Sequence, residues 1–463
     1  MTWIKTLKQQ MKKPANWMKK NKRTMVYLLK WIITLISVGL ISFFMLCRLE
    51  VNAHVYLRNW LSPERPVAIE PLSHCFDNLS PDSPYHQGNK NFTVNFVPGL
   101  PVWEANTCYD FAALFHSRRY PYAGSQLYHT YWSSNLTKDF DEKPLATLRS
   151  FAATQNTNHT MILWIPKEDE QRLTNSKGWA ALSKDTNRIS YRIVQPMDLT
   201  KGTAIEPYVD VWRVLVSENN DGTHRDDLLR MLVLYQFGGV WFDLDTMFIR
   251  DLSPLFEHEW IAQGSCKTGM FGNPFTGALF HFNQKSPYVC EILEGAADLF
   301  KARERQANGE SDIPKRHLIK GPEIFGSKLY YRIYRRVLHH RIKPWSILPW
   351  CFTDPSQCRR SNSMPSLFSN TDFDEKQVER IFAYHWRDRW SSVPGSIYNY
   401  LSSIHKKRIT WNTKNILLTK SINILRLTFP DLTDSLTASF EKFNLKEASI
   451  RKFAKEECGF TFK

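Results

Sequence analysis

Two aspartates that follow a short apolar segment are the residues best placed to do chemistry in this chain. Asp243 and Asp245 stand two positions apart, directly after Val240-Trp241-Phe242. In an extended chain, residues two apart point to the same side, so both carboxylates would face one site. Paired carboxylates bind hard divalent cations, and such a cation can hold the oxygens of a diphosphate. The spacing therefore predicts a metal site that receives a diphosphate.

The segment before the aspartates supplies the elements that would position them. Its apolar residues recur at helical spacing, which predicts a helix with one buried face. These residues are Leu228, Met231, Leu232 and Tyr235. Gly238 and Gly239 then end the helix and turn the chain into a short strand over residues 240–242. The structural alternative is that the two carboxylates only cap the next turn, at residues 251–254.

The Asp-x-Asp spacing occurs twice more, at Asp139/Asp141 and at Asp372/Asp374. Both of these pairs lie in polar, charged surroundings, which favours solvated loops. Only the pair at 243 and 245 follows a predicted helix, a glycine pair and an apolar strand.

The block from Asp226 to Leu255 resembles the Asp-x-Asp sugar-binding region of glycosyltransferase family 32, and a looser likeness runs from Tyr128 to Trp390. Relatives in that group include α-1,4-galactosyltransferases, α-1,4-N-acetylglucosaminyltransferases and α-mannosyltransferases of the Golgi. The resemblance implies a GT-A fold, an α-retaining sugar transfer, and a nucleotide-sugar donor held through Mn²⁺ or Mg²⁺.

The resemblance also assigns roles outside the aspartate pair. It places Asp227 and Arg230, one helical turn apart, against the hydroxyls of the donor sugar. The alternative for these two residues is a surface ion pair. Relatives often carry Asn-Gly-Ala at a second sugar-binding position, where this chain has Thr276 followed by Gly277 and Ala278. The alternative there is a tight strand turn.

A histidine near the end of the resembling region is the third candidate ligand. His385, followed by Trp386, is similar to the His-x-Trp ending of relatives, where the histidine binds the metal or the diphosphate. Imidazole binds such ions. The alternative is a histidine that packs against Trp386.

Apolar segments alternate with helical patterns in the surrounding chain. A helix is predicted over Leu145–Gln155, and the predicted strands are Thr160–Pro166, Ile189–Val194, Trp260–Gly264 and Phe275–His281. Such alternation predicts an α/β domain with a mostly parallel central sheet. In these sheets ligands bind beyond the carboxyl ends of the strands, which is where the aspartate pair falls.

The net charge and the N-terminal sequence point to a membrane. Of the formal net charge of +16 in 463 residues, nine positive charges lie within residues 1–30, which contain no acidic residue. The uncharged stretch 31–47 follows at once. This concentration favours a single-pass anchor over nucleic-acid binding, and the positive-inside rule places residues 1–30 in the cytosol. The alternative is a cleaved signal peptide.

The predicted organisation follows from that anchor. A basic cytosolic tail (1–30) precedes the anchor (31–47), a proline-rich stem (48–127), the GT-A-type catalytic domain (128–400) and a helical C-terminal extension (401–463). The chain would be a type II Golgi membrane protein with a lumenal catalytic domain. Four N-glycosylation sequons lie on the lumenal side: Asn78, Asn91, Asn135 and Asn158.

Seven cysteines follow the anchor, and an oxidising lumen would allow up to three disulfides. Cys351/Cys358 and Cys75/Cys108 are the first candidate pairs, and buried free cysteines are the alternative. Two charged segments have two interpretations each. Lys301–Arg316 is either a lid over the donor or a surface loop. Tyr330–Arg341 either faces an anionic surface or acceptor, or is a solvated helix face.

Together these features predict a metal-dependent glycosyltransferase. It would move a hexose or an N-acetylhexosamine from a nucleotide-sugar, with UDP-sugars favoured, to a glycan or glycolipid hydroxyl. A GDP-mannose-dependent α-mannosyltransferase is the nearest alternative. An inactive, membrane-anchored carbohydrate-binding protein is the alternative of another class. The sequence leaves the acceptor, the linkage and the oligomeric state open.

Overall fold

The structure is a computed structural model. The described residues are 26–42, 70–77, 79, 83, 85, 107–115, 124–210, 223–264, 275–309, 325–356 and 363–410. The chain divides into two compact units, Met1–Ile69 and Glu70–Lys463.

In the first unit, residues 26–42 form a helix with exposed side chains. Within the described part of the chain, no helix combines the length and the apolar character needed to cross a membrane. Residues 1–25 and 43–47, which belong to the predicted tail and anchor, lie outside the described residues. The anchor therefore stays a prediction.

The second unit is built on a seven-stranded mixed sheet with the order β3-β2-β1-β4-β7-β6-β8. Its neighbouring strands pair in parallel except where β7 lies antiparallel to β4 and to β6. The predicted α/β domain with a mostly parallel sheet is therefore confirmed. The strands are β1 Leu127–Tyr131, β2 Thr160–Ile165, β3 Ile189–Ile193, β4 Gly239–Phe242, β6 Trp260–Gln263, β7 Phe275–Phe282 and β8 Ser346–Leu348. A separate two-stranded sheet pairs β5 Thr246–Phe248 with β9 Ala383–His385.

Helices flank both faces of the sheet. In chain order they are α1 Thr107–Leu114, α2 Glu142–Thr154, α3 Glu170–Asn175, α4 Lys177–Asp185, α5 Pro196–Thr200, α6 Thr223–Phe237, α7 Pro287–Ala307, α8 Ser327–His339, α9 Trp350–Thr353 and α10 Glu375–Val378. Residues 396–410 are also helical. The helix predicted from Leu145 begins earlier, at Glu142, because the Asp141 side chain accepts a hydrogen bond from the Lys143 N–H and caps its N-terminus.

Strand β4 is central and fully buried, and its alternate side chains enter two different cores. Val240 and Phe242 join the core that contains α2, whereas Trp241 joins the core that contains α6, α7 and α8. This explains why the strand is apolar at every position. Gly238 and Gly239 have φ values of 65° and 97°, and a side chain at Gly239 would overlap the carbonyl group of Leu127 on β1. The predicted glycine turn therefore brings β4 against β1.

Two disulfides join parts of the chain that are remote in sequence. Cys75 pairs with Cys290 across 215 residues, and Cys108 pairs with Cys351 across 243. Both predicted short-range pairs are therefore wrong. The sheet order decides the pairing, because it brings α1 against α9 and the segment around Cys75 against α7, with Cα–Cα distances of 6.3 and 5.8 Å. The predicted partner Cys358 lies outside the described residues.

The predicted lid or loop at Lys301–Arg316 is helical in its first part. Helix α7 runs for 21 residues and ends at Ala307, so residues 301–307 are its last two turns. The apolar spacing of Leu299, Phe300 and Ala302, which are all buried, continues the helix into the charged segment. Residues 310–316 lie outside the described residues, as do residues 411–463 of the predicted helical C-terminal extension.

Candidate active site

The two aspartates lie where β4 ends. The Asp243 N–H donates to the carbonyl of Ala278 on β7 at 2.9 Å, and the Asp243 carboxylate accepts a hydrogen bond from the Trp241 indole at 3.0 Å. The side chain of Asp243 is 29 % exposed, whereas that of Asp245 is 4 % exposed. One carboxylate therefore faces the open side of the site, and the other lies beneath it.

The small second sheet brings His385 to the aspartates. Thr246 on β5 pairs with His385 on β9, and His385 Nε2 lies 3.3 Å from Asp245 Oδ2. Ligand atoms of Asp243, Asp245 and His385 all lie within 4.8 Å of one another. Two carboxylates and an imidazole with one open side match the donor set of a divalent cation that keeps positions for phosphate and water.

Burial and neighbouring charges shift the pKa values of all three candidate ligands. Burial, opposed by the Arg230 guanidinium, raises the pKa of the Asp243 carboxyl. Burial acts against ionisation of Asp245 too, but the charge and hydrogen bond of His385 outweigh it and lower the pKa of Asp245. The same partnership, with Asp354, overcomes burial and raises the pKa of His385 well above its usual value. Without a metal, His385 therefore carries a proton and pairs with Asp245 and Asp354, so a cation that binds at Nε2 would displace that proton.

A second layer of residues surrounds His385 and Asp245. Asp354, 2 % exposed, places a carboxylate oxygen 3.5 Å from His385 Nδ1. Arg387 donates to the same oxygen of Asp354 at 2.9 Å. The Asp388 N–H donates to Asp245 Oδ2 at 2.7 Å. Nδ1 therefore faces a carboxylate and Nε2 faces the cluster, which is the usual arrangement around a metal-binding histidine.

Asp227 and Arg230 form a buried pair beside the aspartates. They are 5 % and 6 % exposed, and Arg230 Nη2 lies 3.4 Å from Asp227 Oδ1. Arg230 Nη1 also lies 3.7 Å from Asp243 Oδ2, and the guanidinium donates to the carbonyls of Gly277 and Asp226. The surface ion pair considered as an alternative is therefore excluded by burial. Arg230 links the predicted sugar-binding pair to the aspartate pair.

Comparison with known proteins identifies this part of the chain. Residues 147–265, which hold Asp227, Arg230, Asp243 and Asp245, match the family of glycosyltransferase sugar-binding regions containing a DXD motif. This segment is similar to a glycosyltransferase sugar-binding region. The match confirms the predicted resemblance to glycosyltransferases that contain a DXD motif.

The relatives of the DXD region are distant. Over 110 residues the chain is 27 % identical to an uncharacterized protein of Arabidopsis thaliana, a match that spans 24 % of this chain and 16 % of that protein. The chain thus spans about a sixth of the length of the curated relative that it matches.

Among solved structures, the PaToxG glycosyltransferase is 15 % identical, with 50 % of this chain and 83 % of that chain covered and a TM-score of 0.30. Mouse xyloside xylosyltransferase 1 is 12 % identical, with 57 % and 97 % covered and a TM-score of 0.32.

Gly277 and Ala278 lie on β7, the strand that pairs with β4 next to the aspartates. A side chain at Gly277 would overlap the Arg230 guanidinium, so this position needs glycine for the close approach of Arg230. Ala278 acts through its backbone, because its carbonyl accepts from the Asp243 N–H. Thr276, which replaces the asparagine of relatives, accepts a hydrogen bond from the Ala278 N–H at 3.2 Å within β7, so the segment is part of a strand and not a tight turn.

Four neighbours of the DXD region escaped the sequence analysis. Asp354, Arg387 and Asp388 come from a part of the chain far from the DXD motif, and only the pairing of β5 with β9 brings them near. Tyr330 on α8 is the fourth, and its fully buried hydroxyl has no hydrogen-bond partner among the described residues. Burial, reinforced by the charge of Asp227, raises the pKa of Tyr330 well above its usual value. The sequence indicated none of them as a site residue, because none belongs to a spaced motif; Tyr330 was noted only as the start of a basic segment.

Two arginines of the basic helix α8 bind carboxylates within the chain. Arg332 and Arg336 both bind the Glu70 carboxylate, at 2.9 and 2.6 Å, and Arg336 also lies 3.3 Å from Glu291. These partners lower the pKa of Glu70 to about 2 against the opposing effect of burial. The interpretation of this run as an anionic-surface contact is therefore wrong for these two arginines, since internal carboxylates occupy them.

The other Asp-x-Asp pairs have structural roles. Asp141 caps α2 and Asp374 caps α10 through their side chains.

Two of the predicted sequons lie at exposed asparagines, Asn135 and Asn158, whereas Asn78 and Asn91 lie outside the described residues. Glycosylation at all four stays a prediction.

Proposed function

We propose that this chain is a GT-A-type, metal-dependent, retaining glycosyltransferase. The observation that carries the proposal is the convergence of Asp243, Asp245 and His385 at the carboxyl end of β4. We further propose that the donor is a UDP-sugar of a hexose or N-acetylhexosamine, with GDP-mannose as the alternative. A glycan or glycolipid hydroxyl would accept the sugar, in the Golgi lumen.

In this proposal the candidate ligands bind the cation. Asp243, Asp245 and His385 would hold the cation, Mn²⁺ or Mg²⁺. When bound, the cation offsets the negative charge that grows on the diphosphate as the glycosidic bond breaks. Asp243 is the more exposed carboxylate, so the donor phosphates would approach from its side.

Asp227 and Arg230 would orient the donor sugar next to the diphosphate. The guanidinium of Arg230 reaches both Asp227 and Asp243, so it fixes the distance between the sugar-binding pair and the metal ligands. Correct orientation of the reacting bond contributes several kcal/mol to catalysis, about 7–11 in well-aligned intramolecular reactions. We assign no nucleophile on the far face of the sugar. Retention would follow from attack on the face that the diphosphate leaves.

Donor hydrolysis by the purified full-length chain tests the proposal. A panel of UDP- and GDP-sugars would be assayed with Mn²⁺, with Mg²⁺ and with EDTA. We expect hydrolysis of one donor that requires the metal. Asp245→Asn should lower this rate by at least about 100-fold, because it removes a charged ligand.

Asp139→Asn is the matched control, since Asp139 belongs to an exposed Asp-x-Asp pair and should leave the rate unchanged. A rate in Asp245→Asn equal to wild type would remove this residue from the site. Tight carbohydrate binding without turnover of any donor would instead favour the inactive carbohydrate-binding protein.

A further inference from the structure

Helix α2 buries a row of polar side chains on one face. Lys143, Thr147 and Ser150 are spaced four and three residues apart, so they lie on the same side of the helix. They are 8, 0 and 0 % exposed. Buried polar groups are costly unless each finds a partner. The hydrogen-bond partners that these three side chains find outside α2 belong to segments that build the metal site.

Thr147 and Ser150 hold the half of the site that carries the DXD motif. The Thr147 hydroxyl donates at 2.6 Å to the carbonyl of Leu244, the residue between the two aspartates. The Ser150 hydroxyl accepts at 2.8 Å from the N–H of Phe248, the last residue of β5. The main chain is therefore fixed both within the motif and just after it.

Lys143 holds the half of the site that carries His385. Its ammonium donates to the carbonyls of Arg389, at 3.0 Å, and Ser392, at 2.6 Å, and also to the carbonyl of Trp390. An ammonium has three donors, and these three carbonyls match them. The ring of Phe368 lies 4.8 Å from the same nitrogen. Main-chain oxygens thus surround Lys143 as they would surround a bound monovalent cation.

The segment between His385 and these carbonyls needs such support. Arg387 and Asp388 have φ values of 57° and 54°, a left-handed conformation that is unfavourable for residues other than glycine. In this conformation the Asp388 N–H points at Asp245 Oδ2, at 2.7 Å. The carbonyls bound by Lys143 follow directly, so the lysine fixes the end of this strained turn.

We propose that this face of α2 sets the distance between the two halves of the metal site. Thr147 and Ser150 would hold Asp243 and Asp245, and Lys143 would hold the turn after His385. The inference rests on the metal site of the proposed function. It makes Lys143 a positioning residue, since its ammonium contacts carbonyls and not the cation.

Mn²⁺ affinity of the full-length chain, measured by electron paramagnetic resonance without any donor, is the readout. Lys143→Met keeps the unbranched side chain up to the position of Cε and removes the ammonium group. We expect the Mn²⁺ dissociation constant to rise by about 10- to 100-fold, the range seen when support around a metal ligand is lost. Lys177→Met, at an exposed lysine that begins the neighbouring helix α4, is the matched control and should bind Mn²⁺ like wild type.

Chemical rescue separates positioning from general damage. Lys143→Ala leaves the three carbonyls without their cation, and added methylammonium should restore a substantial part of the Mn²⁺ affinity. If the Lys143 variants do not fold, the Mn²⁺ affinity of Thr147→Val tests the proposal instead. This substitution removes only the hydroxyl that holds Leu244, and it should also weaken Mn²⁺ binding.

The outcomes distinguish this inference from the proposed function. Variants that bind Mn²⁺ within about twofold of wild type, or a loss that methylammonium leaves unchanged, would overturn the role of α2 alone. A wild-type chain that binds no Mn²⁺ would overturn the proposed metal site, and the role of α2 with it.

Discussion

Replacing Arg230 by methionine is the perturbation whose effect the structure defines most closely. The guanidinium lies 3.4 Å from Asp227 and 3.7 Å from Asp243, and it is 6 % exposed. Methionine fills a similar volume but supplies no charge. The variant therefore keeps two carboxylates at the site and removes the cation that they share.

The expected magnitude follows from burial. Removing one partner of a buried ion pair costs about 3–5 kcal/mol, because an uncompensated charge remains inside the protein. Asp243 is 29 % exposed at its side chain and can be partly rehydrated, which favours the lower end, roughly 3 kcal/mol. Arg149→Met is the matched control. Arg149 pairs with Glu142 at 2.7 Å, but Glu142 is 58 % exposed, so this pair should contribute only about 0–1 kcal/mol.

The assay is urea unfolding of wild type and both variants without metal, followed by tryptophan fluorescence. The double variant Asp227→Asn/Arg230→Met should recover part of the loss, because it removes one of the two stranded charges. If Arg230→Met loses no more than Arg149→Met, the guanidinium is not a buried counter-charge, and its proposed link between sugar-binding pair and metal ligands fails.

Two further predictions concern groups outside the DXD motif. Asp354→Asn should weaken Mn²⁺ binding by about 10- to 100-fold, because it removes the carboxylate that faces His385 Nδ1. Titration calorimetry would compare this variant with Asp372→Asn, a control at an exposed aspartate. Equal Mn²⁺ affinities of the two variants would refute the prediction. Burial raises the pKa of Glu259 to about 7 from 4.5, so its folded form retains a proton that the unfolded chain loses. Stability is therefore lost as the pH rises from about 4.5 to about 7, and Glu259→Gln should be more stable than wild type by roughly 3 kcal/mol at pH 8 but close to it at pH 4. Thermal unfolding at both pH values would check this, and a difference independent of pH would contradict it.

Much of the fold could be predicted because its signals are local. The periodicity of α6, the glycine turn at Gly238 and the apolar run of β4 each depend on neighbouring residues, and the structure contains all three. Hydrophobic periodicity is read directly from such spacing. The charged end of α7 was misjudged because the charges of Lys301 and its neighbours suggested a loop. The buried Phe300 and Ala302 continue the helix through this segment.

The disulfides show the opposite case. The pairs expected from the sequence were Cys75/Cys108 and Cys351/Cys358, yet a disulfide depends on the spatial distance between Cα atoms. Cys75–Cys290 and Cys108–Cys351 form across more than 200 residues because the order of the sheet brings their elements together.

The arginines of α8 were misjudged for a related reason. The basic run reads as an exposed patch in the sequence, but Glu70, more than 260 positions earlier, binds both Arg332 and Arg336. A charge pattern along one helix gives no information about carboxylates that arrive from another part of the chain.

The sequence by itself determined the chemistry of the site. An Asp-x-Asp pair after an apolar strand specifies two carboxylates on one side of an extended chain, and the family match over residues 147–265 follows from that segment alone. Only the tertiary structure decided which other groups complete the site. The pairing of β5 with β9 places His385 beside Asp245, and the polar face of α2 holds both halves of the site. The physical reason is that these contacts join residues about 100 to 250 positions apart, so they exist only once the sheet has formed.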